Sequence, residues 1–295
     1  MIENLPQLAE PPERIICLTE ETVEVLYLLG EEKRVVGVSG FACRPKEVRQ
    51  KPRVSAFTSA KIDKILDLQP DLVIGFSNLQ ADIARDLIRA GINTLIFNQR
   101  SVREIFQMIS TLARIAGAEQ AGLDLIAKLH AGLAQVAKSA ECFPRRPRVL
   151  FEEWADPLIS GIRWVEELIE IAGGETIFPH LRRQHDAAGR IVKPEDVVTA
   201  APDVIIASWC GRKVNKALIG SRAGWDTIPG VKNGNIYEIK STYILQPGPA
   251  ALTEGVLQLH AILAHVVDAH VSETLYPAER TDPDLVQQIA VLKQP

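Results

Sequence analysis

Several features that would place a chain in a well-defined class are missing from this sequence. No apolar run approaches the roughly 20 residues that a membrane-spanning helix requires. No stripe of basic residues accompanies the net charge of -4, which argues against nucleic acid as a partner. The four cysteines follow neither Cys-x-x-Cys nor zinc-finger spacing, so we expect free thiols (Cys17, Cys43, Cys142 and Cys210).

The amino terminus also lacks a recognisable targeting signal. Residues 1–12 have neither a basic start nor an apolar stretch, so we do not expect them to be a secretory signal peptide. Two locations are therefore open. We expect a periplasmic protein if a signal peptide was removed from the chain, and a cytoplasmic one if the sequence is read as written.

Motifs for common enzyme chemistry are missing as well. The chain has no phosphate-binding loop, no Gly-x-Ser-x-Gly elbow and no His-Glu-x-x-His pattern. Cys43, Glu153 and His185 are chemically capable of catalysis, but Glu153 with Cys43 is not a recognised nucleophile–base pair. We therefore predict that the protein is not an enzyme and has no intrinsic cofactor.

What the sequence does contain is one pattern written twice, at residues 61–76 and 193–209. In each copy an acidic residue opens a short amphipathic helix, Pro-Asp follows it, and a run of branched apolar residues comes next. An acid suits the positive end of the helix dipole, and the residue before proline is disfavoured in the α region. The uninterrupted apolar run is typical of a parallel strand covered on both faces. Two such copies predict two similar lobes.

Around these copies, strand and helix patterns alternate regularly, which favours parallel βαβ units. Hydrophobic residues make up 46% of the chain, enough for two cores. We predict an α/β fold of two Rossmann-like βαβ lobes joined by one long helix. The predicted parts are an N-terminal lobe (1–117), a connecting helix (118–143), a C-terminal lobe (144–272) and a tail (273–295).

The order of these elements resembles the substrate-binding proteins of ABC importers for cobalamin and iron-siderophores, and most of all the cobalamin-binding branch. The resemblance extends from about residue 14 to 269. It is carried by four colinear stretches of the sequence, at residues 34–39, 63–74, 160–174 and 195–206. Members of that family bind their ligand in a cleft between two lobes, the class III periplasmic-binding-protein arrangement, so the resemblance implies the same arrangement here.

The resemblance also implies a partner. In that family one acidic residue at the top of each lobe docks onto basic residues of the membrane permease, and the matching positions here are Asp63 and Glu195. A symmetric ABC permease dimer accounts for one acid on each lobe. Asp63 is shorter than the glutamate that the cobalamin proteins usually carry. We expect a monomer that does not span the membrane and meets such a permease if the chain is exported.

The ligand implied by the resemblance is cobalamin, another corrinoid or a related metal chelate. Ligands of open parallel sheets lie at the carboxyl ends of the strands. Aromatic rings beside a few polar groups suit a large planar ligand, and Arg44 and Arg212 suit the polar groups on its rim. The family's aromatic platform in the first lobe matches Phe41 and Phe57, whereas Trp225 is expected to be structural. The predicted ligand-binding residues are Phe41, Cys43, Arg44, Phe57, Phe76, Glu153, Trp154, Trp164, Trp209, Cys210, Arg212, Tyr243 and Gln246.

Three alternatives stay open at this stage. A cytosolic corrinoid or haem carrier, or a sensor, would use the same scaffold. A zinc or manganese receptor needs three or four converging ligands, and only His180 and His185 are loosely placed for that. Cys43, Cys210 and His185 together would suit a soft or borderline metal, although we predict no metal site.

Overall fold

A computed structural model describes residues 10–270 and Leu275. The predicted tail at 273–295 lies outside the described residues except for Leu275. The α/β fold class is confirmed: two compact units each contain a largely parallel sheet with helices. One unit comprises the described residues up to Gln99 with Arg103–Lys128, and the other comprises Arg100–Val102 with the described residues from Leu129 onward. No helix in the described part of the chain is long and apolar enough to cross a bilayer.

The first unit is built on a six-stranded sheet in the order β4-β3-β2-β1-β5-β6, in which only β4 runs antiparallel to its neighbour. The central strands β1 and β5 are completely buried and consist of apolar residues and one glycine, as the sequence pattern predicts. The elements are β1 (Ile15–Cys17), α1 (Glu20–Leu28), β2 (Val35–Ser39), β3 (Arg53–Ala56), β4 (Ser59–Ala60), α2 (Ile62–Asp67), β5 (Leu72–Phe76), α3 (Ala81–Arg89), β6 (Thr94–Phe97) and α4 (Val102–Ile115).

A helix of 22 residues, α5 (Glu119–Ala140), follows, and the division between the two units falls within it, between Lys128 and Leu129. Close packing against α4 explains why Gly122 carries no side chain. A Cβ atom at Gly122 would lie 2.4 Å from the Cβ of Ala113. The two helices therefore approach more closely than larger residues would permit.

The second unit has a five-stranded sheet in which β11, β10, β7 and β8 lie in order and β9 also pairs with β7. Its elements are β7 (Arg148–Ala155), β8 (Leu158–Ser160), α6 (Arg163–Ile171), β9 (Glu175–Thr176), α7 (Pro194–Ala200), β10 (Val204–Ala207), α8 (Lys216–Gly220), α9 (Pro229–Lys232), β11 (Ile236–Glu238), α10 (Ser241–Ile244) and α11 (Val256–Val266). A π-helical turn, Ala251–Gly255, leads into α11.

The duplicated pattern produces the same hydrogen bonds in both units. The carboxylate of Asp71 accepts backbone N–H groups of Glu13 and Arg14 just before β1. The carboxylate of Asp203 accepts the backbone N–H of Arg148 at the start of β7. In addition, the side-chain amides of Asn93 and Asn235 donate to the carbonyl oxygens of Asp71 and Asp203, each at 3.2 Å. The Pro-Asp pair thus ties the central strand of each sheet to its neighbours.

The two helices of the repeat also end alike. Proline disfavours the right-handed α region for the residue before it, which predicts that each helix stops there. Gln69 and Ala201 lie outside the right-handed region and adopt left-handed conformations, with φ of 47° and 44°. A left-handed residue is a common way to end a helix, although glycine usually occupies it because of its smaller steric penalty.

Candidate functional site

The carboxyl ends of β2, β3 and β5 bring three phenylalanines to one edge of the first unit's sheet. Phe41 follows β2 and is 55% exposed, whereas Phe57 is half-buried and Phe76 is buried. The ring centroids of Phe57 and Phe76 are 6.5 Å apart. Phe41 therefore offers the most open ring at this edge, and Phe57 lies against a buried ring that supports it.

The buried side chain of Gln80, which sequence reasoning missed, fixes the backbone beneath these rings. Its Oε1 accepts the backbone N–H of Phe76 and its Nε2 donates to the carbonyl of Phe57, both at 2.9 Å. A Cβ atom at Gly75 would lie 2.4 Å from that Oε1, so the close approach requires glycine. A hydrogen-bonded amide inside an apolar core has no periodic sequence signal, which is why it was not found.

The other predicted residues of this edge are Cys43 and Arg44, both half-buried in the segment after β2. The guanidinium of Arg44 lies 3.3 Å from the carboxylate of Glu24 on α1. Burial raises the pKa of the Cys43 thiol, which keeps it protonated near neutral pH. Arg44 is thus tied to α1.

Three acids on α1, which sequence reasoning also missed, lie beneath this edge: Glu20, Glu21 and the partner of Arg44, Glu24. Burial, together with the nearby charge of Glu20, raises the pKa of Glu21 to about 8, although the Thr19 hydroxyl donates to its carboxylate at 2.7 Å. Burial also raises the pKa of Glu20, whose carboxylate accepts the hydroxyl of Ser39 at 3.0 Å. Glu21 is therefore protonated at neutral pH, and a neutral carboxyl group lies in the core of the first unit.

In the second unit, β7 continues to Ala155, so Glu152, Glu153 and Trp154 belong to the strand. The apolar run of this strand ends at Phe151, so β7 extends beyond the segment that its sequence pattern predicts. Antiparallel pairing with β8 extends β7, with Glu152 opposite Ser160. The pairing is irregular between Glu152 and Trp154, so the simple alternation of side chains along a strand does not apply at Glu153.

Each of these acids is paired with an arginine that sequence reasoning did not identify. Glu152 is completely buried, and its carboxylate lies 2.5 Å from Nη1 of Arg222 while also accepting the indole N–H of Trp209 at 3.1 Å. Glu153 binds Arg190 through two contacts, of 2.6 and 3.1 Å. The guanidinium of Arg222 also lies 4.5 Å above the ring of Trp225. Both ion pairs link the end of β7 to loops that lie far away in the sequence.

The loop after β10 carries three predicted site residues, Trp209, Cys210 and Arg212. Trp209 is buried, at 7% exposure, whereas Cys210 and Arg212 are exposed. The guanidinium carbon of Arg212 lies 5.5 Å from the ring centroid of Trp154, which is half-buried and donates its indole N–H to the carbonyl of Asp156. Trp154 and Arg212 therefore form a contact pair, with Cys210 on the same loop.

Trp164, Tyr243 and Gln246, also predicted as ligand-binding, lie elsewhere in the second unit. Trp164 is on α6, is 3% exposed and donates its indole N–H to the carbonyl of Ile244 at 2.9 Å. Tyr243 on α10 is 4% exposed, and Gln246 is half-buried. The structure therefore places Trp164 and Tyr243 in the packed interior. Trp225 is completely buried, which confirms its expected structural role.

Asp63 and Glu195, the acids that open the two repeat helices, occupy equivalent positions. Each is the second residue of its helix, in α2 and α7, and each is exposed. Within the described residues, neither carboxylate forms a salt bridge. Both groups are therefore accessible to a partner on the surface of their own unit.

No cluster of three or more His, Cys, Asp or Glu side chains in the described part of the chain is arranged to hold a metal ion. Cys43 and Cys210 belong to different units, and His185 is exposed.

Comparison with known proteins shows which family model the sequence matches and which solved structures share the fold. The family described as periplasmic binding protein matches residues 15–243. An ABC transporter substrate-binding lipoprotein of Bacillus subtilis is 26% identical over 262 residues, covering 85% of this chain and 80% of the relative. A vitamin B12-binding protein of Vibrio parahaemolyticus is 24% identical over 253 residues, covering 84% of this chain and 89% of the relative. The solved structure of a periplasmic haem-binding protein from Roseiflexus sp. RS-1 superposes with a TM-score of 0.72 at 24% identity, covering 85% of this chain and 99% of that one.

Proposed function

The chain belongs to the periplasmic binding protein family, and from this premise we propose that it captures a corrinoid or a related planar metal chelate and presents it to an ABC importer. Relatives of similar sequence are named as substrate-binding and vitamin B12-binding proteins. The protein acts as a carrier of a transported ligand and catalyses no reaction. It works outside the cytoplasmic membrane, as the names of its relatives suggest.

The observation that carries this proposal is the set of rings at the carboxyl ends of the strands. In the first unit, Phe41 is 55% exposed beside Phe57. In the second unit, Trp154 is held at the end of β7 beneath Arg212. An exposed aromatic ring on a strand-end loop is costly in water and favours contact with a flat apolar ligand.

Gel filtration with absorbance detection tests the proposal directly. The protein is incubated separately with cyanocobalamin, haemin and a ferric siderophore. We expect a coloured complex of one ligand per chain with at least one of the first two. Binding of zinc or manganese without affinity for any of the three chelates would contradict the proposal.

Truncation of the rings is expected to weaken the bound chelate. Phe41→Ala and Trp154→Ala should each reduce affinity by about 1–3 kcal/mol, because each removes apolar face contact with the ligand. Ligand titration followed by absorbance measures the change. Ile88→Ala is the matched control, since Ile88 is 63% exposed on α3 and is not among the predicted ligand-binding residues. Equal losses in all three variants would show that the rings have no special role.

We further propose that Asp63 and Glu195 dock onto basic residues of the permease. The double variant Asp63→Lys/Glu195→Lys should lower ligand uptake at least about tenfold, because like charges then meet at both contacts. Ligand affinity should stay unchanged. Transport into vesicles that contain the cognate permease measures the effect. The control is Asp67→Lys/Asp196→Lys, which reverses exposed acids on the same helices; an equal loss of uptake there would contradict specific docking.

A further inference from the structure

One stretch of the second unit has a charge opposite to that of the whole chain. Residues 204–225 contain four basic residues and no acidic residue, whereas the chain has a net charge of -4. Arg222 is neutralised by the buried carboxylate of Glu152. The other three, Arg212, Lys213 and Lys216, are exposed. We refer to residues 209–216 as the basic turn.

The basic turn is held in place by contacts with two neighbouring strands, β7 and β11. The indole N–H of Trp209 donates to Glu152, the backbone N–H of Val214 donates to the Glu238 carboxylate at 3.0 Å, and the guanidinium of Arg212 lies over Trp154. Within the turn, the backbone N–H of Arg212 donates to the carbonyl of Trp209 at 3.2 Å, and Gly211 supplies the positive φ of 69° that closes it. The exposed cations are therefore carried by a preorganised backbone, which lowers the entropy cost of binding.

Against the three exposed cations of the basic turn, the neighbouring acids are Glu238 and Glu153. Glu238 accepts the backbone N–H of Val214. Glu153, next to Trp154, forms its two contacts with Arg190. Lys216 lies over the ring of Tyr237, 5.7 Å from its centroid. The basic turn therefore offers two kinds of contact. Its arginine and lysines bind carboxylate oxygens, and the neighbouring indole of Trp154 packs against a flat conjugated ring system.

We propose that the basic turn binds carboxylate groups on the rim of the ligand, so that the protein prefers a polycarboxylate chelate to one whose rim carries only neutral amides. This inference rests on the proposed function and adds the charge class of the ligand. Arg212 and Lys213 contact the carboxylates, and Trp154 contacts the ring system.

Two corrinoids with the same ring and different rims test the proposal. Dicyanocobyrinic acid carries carboxylates where dicyanocobinamide carries amides. If only the shape of the ring system mattered, the protein would bind both with equal affinity. At low salt we expect the carboxylate form to bind at least about tenfold more tightly, and we expect this preference to shrink as salt screens the exposed charges. In Arg212→Ala/Lys213→Ala the preference for the carboxylate form should fall to within about twofold.

Lys138→Ala/Lys232→Ala is the matched control, because it removes two exposed cations of the second unit outside the basic turn. It should keep the full preference. Equal affinity of the wild type for both corrinoids, or an equal effect of the two double variants, would overturn the role of the basic turn and leave the proposed function intact. Failure of both corrinoids and of haemin to bind would overturn the proposed function as well.

Discussion

Replacement of Arg222 by alanine is expected to lower the free energy of unfolding of the second unit by about 3–5 kcal/mol, because it leaves a buried carboxylate without its cation. Glu152 is completely buried, and its contacts with Arg222 are 2.5 and 3.0 Å long. The variant keeps the 3.1 Å hydrogen bond from the indole of Trp209 but loses the guanidinium that covers Trp225. All four tryptophans of the chain lie in the second unit, so urea unfolding followed by tryptophan fluorescence reports on this unit alone.

The matched control is an exposed ion pair in the same unit. Arg145 lies 2.7 Å from Asp203 and is 51% exposed, and Asp203 keeps the backbone N–H of Arg148 when Arg145 is truncated. Arg145→Ala should therefore cost less than about 1 kcal/mol. The double variant Glu152→Gln/Arg222→Met should recover much of the lost stability, because neither side chain is then charged. If Arg222→Ala cost no more than Arg145→Ala, the buried pair would not be what holds the loop after β10.

The parts of the fold that the sequence predicts are those defined by local patterns. Apolar runs mark β5 and β10, and the acid and the Pro-Asp pair bracket α2 and α7. Strand periodicity and helix-end chemistry act between residues a few positions apart, so they can be read without knowing the fold. The extension of β7 past Phe151 was missed because it depends on pairing with β8, which a single strand pattern does not reveal.

The site was predicted less completely, for a related reason. Placing aromatic residues at strand ends leads to Phe41, whose ring is exposed, and to Trp154, which contacts Arg212. It does not separate these from Trp164, which follows a strand but turns into the core on α6. The partners of the β7 acids were also missed, because Arg222 lies 70 residues from Glu152 and no spacing rule connects them. Such long-range pairings depend on tertiary structure rather than on local sequence.

The first unit is expected to lose stability as the pH rises, because of the neutral carboxyl group of Glu21. The folded state raises the pKa of this group to about 8, through burial first and the charge of Glu20 second, from an ordinary value of 4.5. Between these two pH values the folded chain holds a proton that the unfolded chain has released. The stabilising effect is therefore complete below pH 4.5 and is lost as the pH rises through 8. Its full size, the difference in the free energy of unfolding between these two limits, is about 4–5 kcal/mol. Glu20, whose pKa burial also raises, contributes with the same sign.

Glu21→Gln should remove most of this pH dependence, because the amide stays neutral at every pH and can still accept from the hydroxyl of Thr19. Urea unfolding between pH 5 and pH 9, followed by far-ultraviolet circular dichroism, measures both units, and tryptophan fluorescence measures the second unit separately. That unit has its own titrating groups, since burial raises the pKa of Glu166 to about 7 and lowers that of His260 to about 4. Its fluorescence transition should be identical in the wild type and in Glu21→Gln.

The control is Glu47→Gln, which neutralises an exposed acid of the first unit. It should retain the full decrease of stability with rising pH. If Glu21→Gln also retained this pH dependence, the carboxyl group of Glu21 would be charged in the folded protein. The core of the first unit would then have to contain an anion.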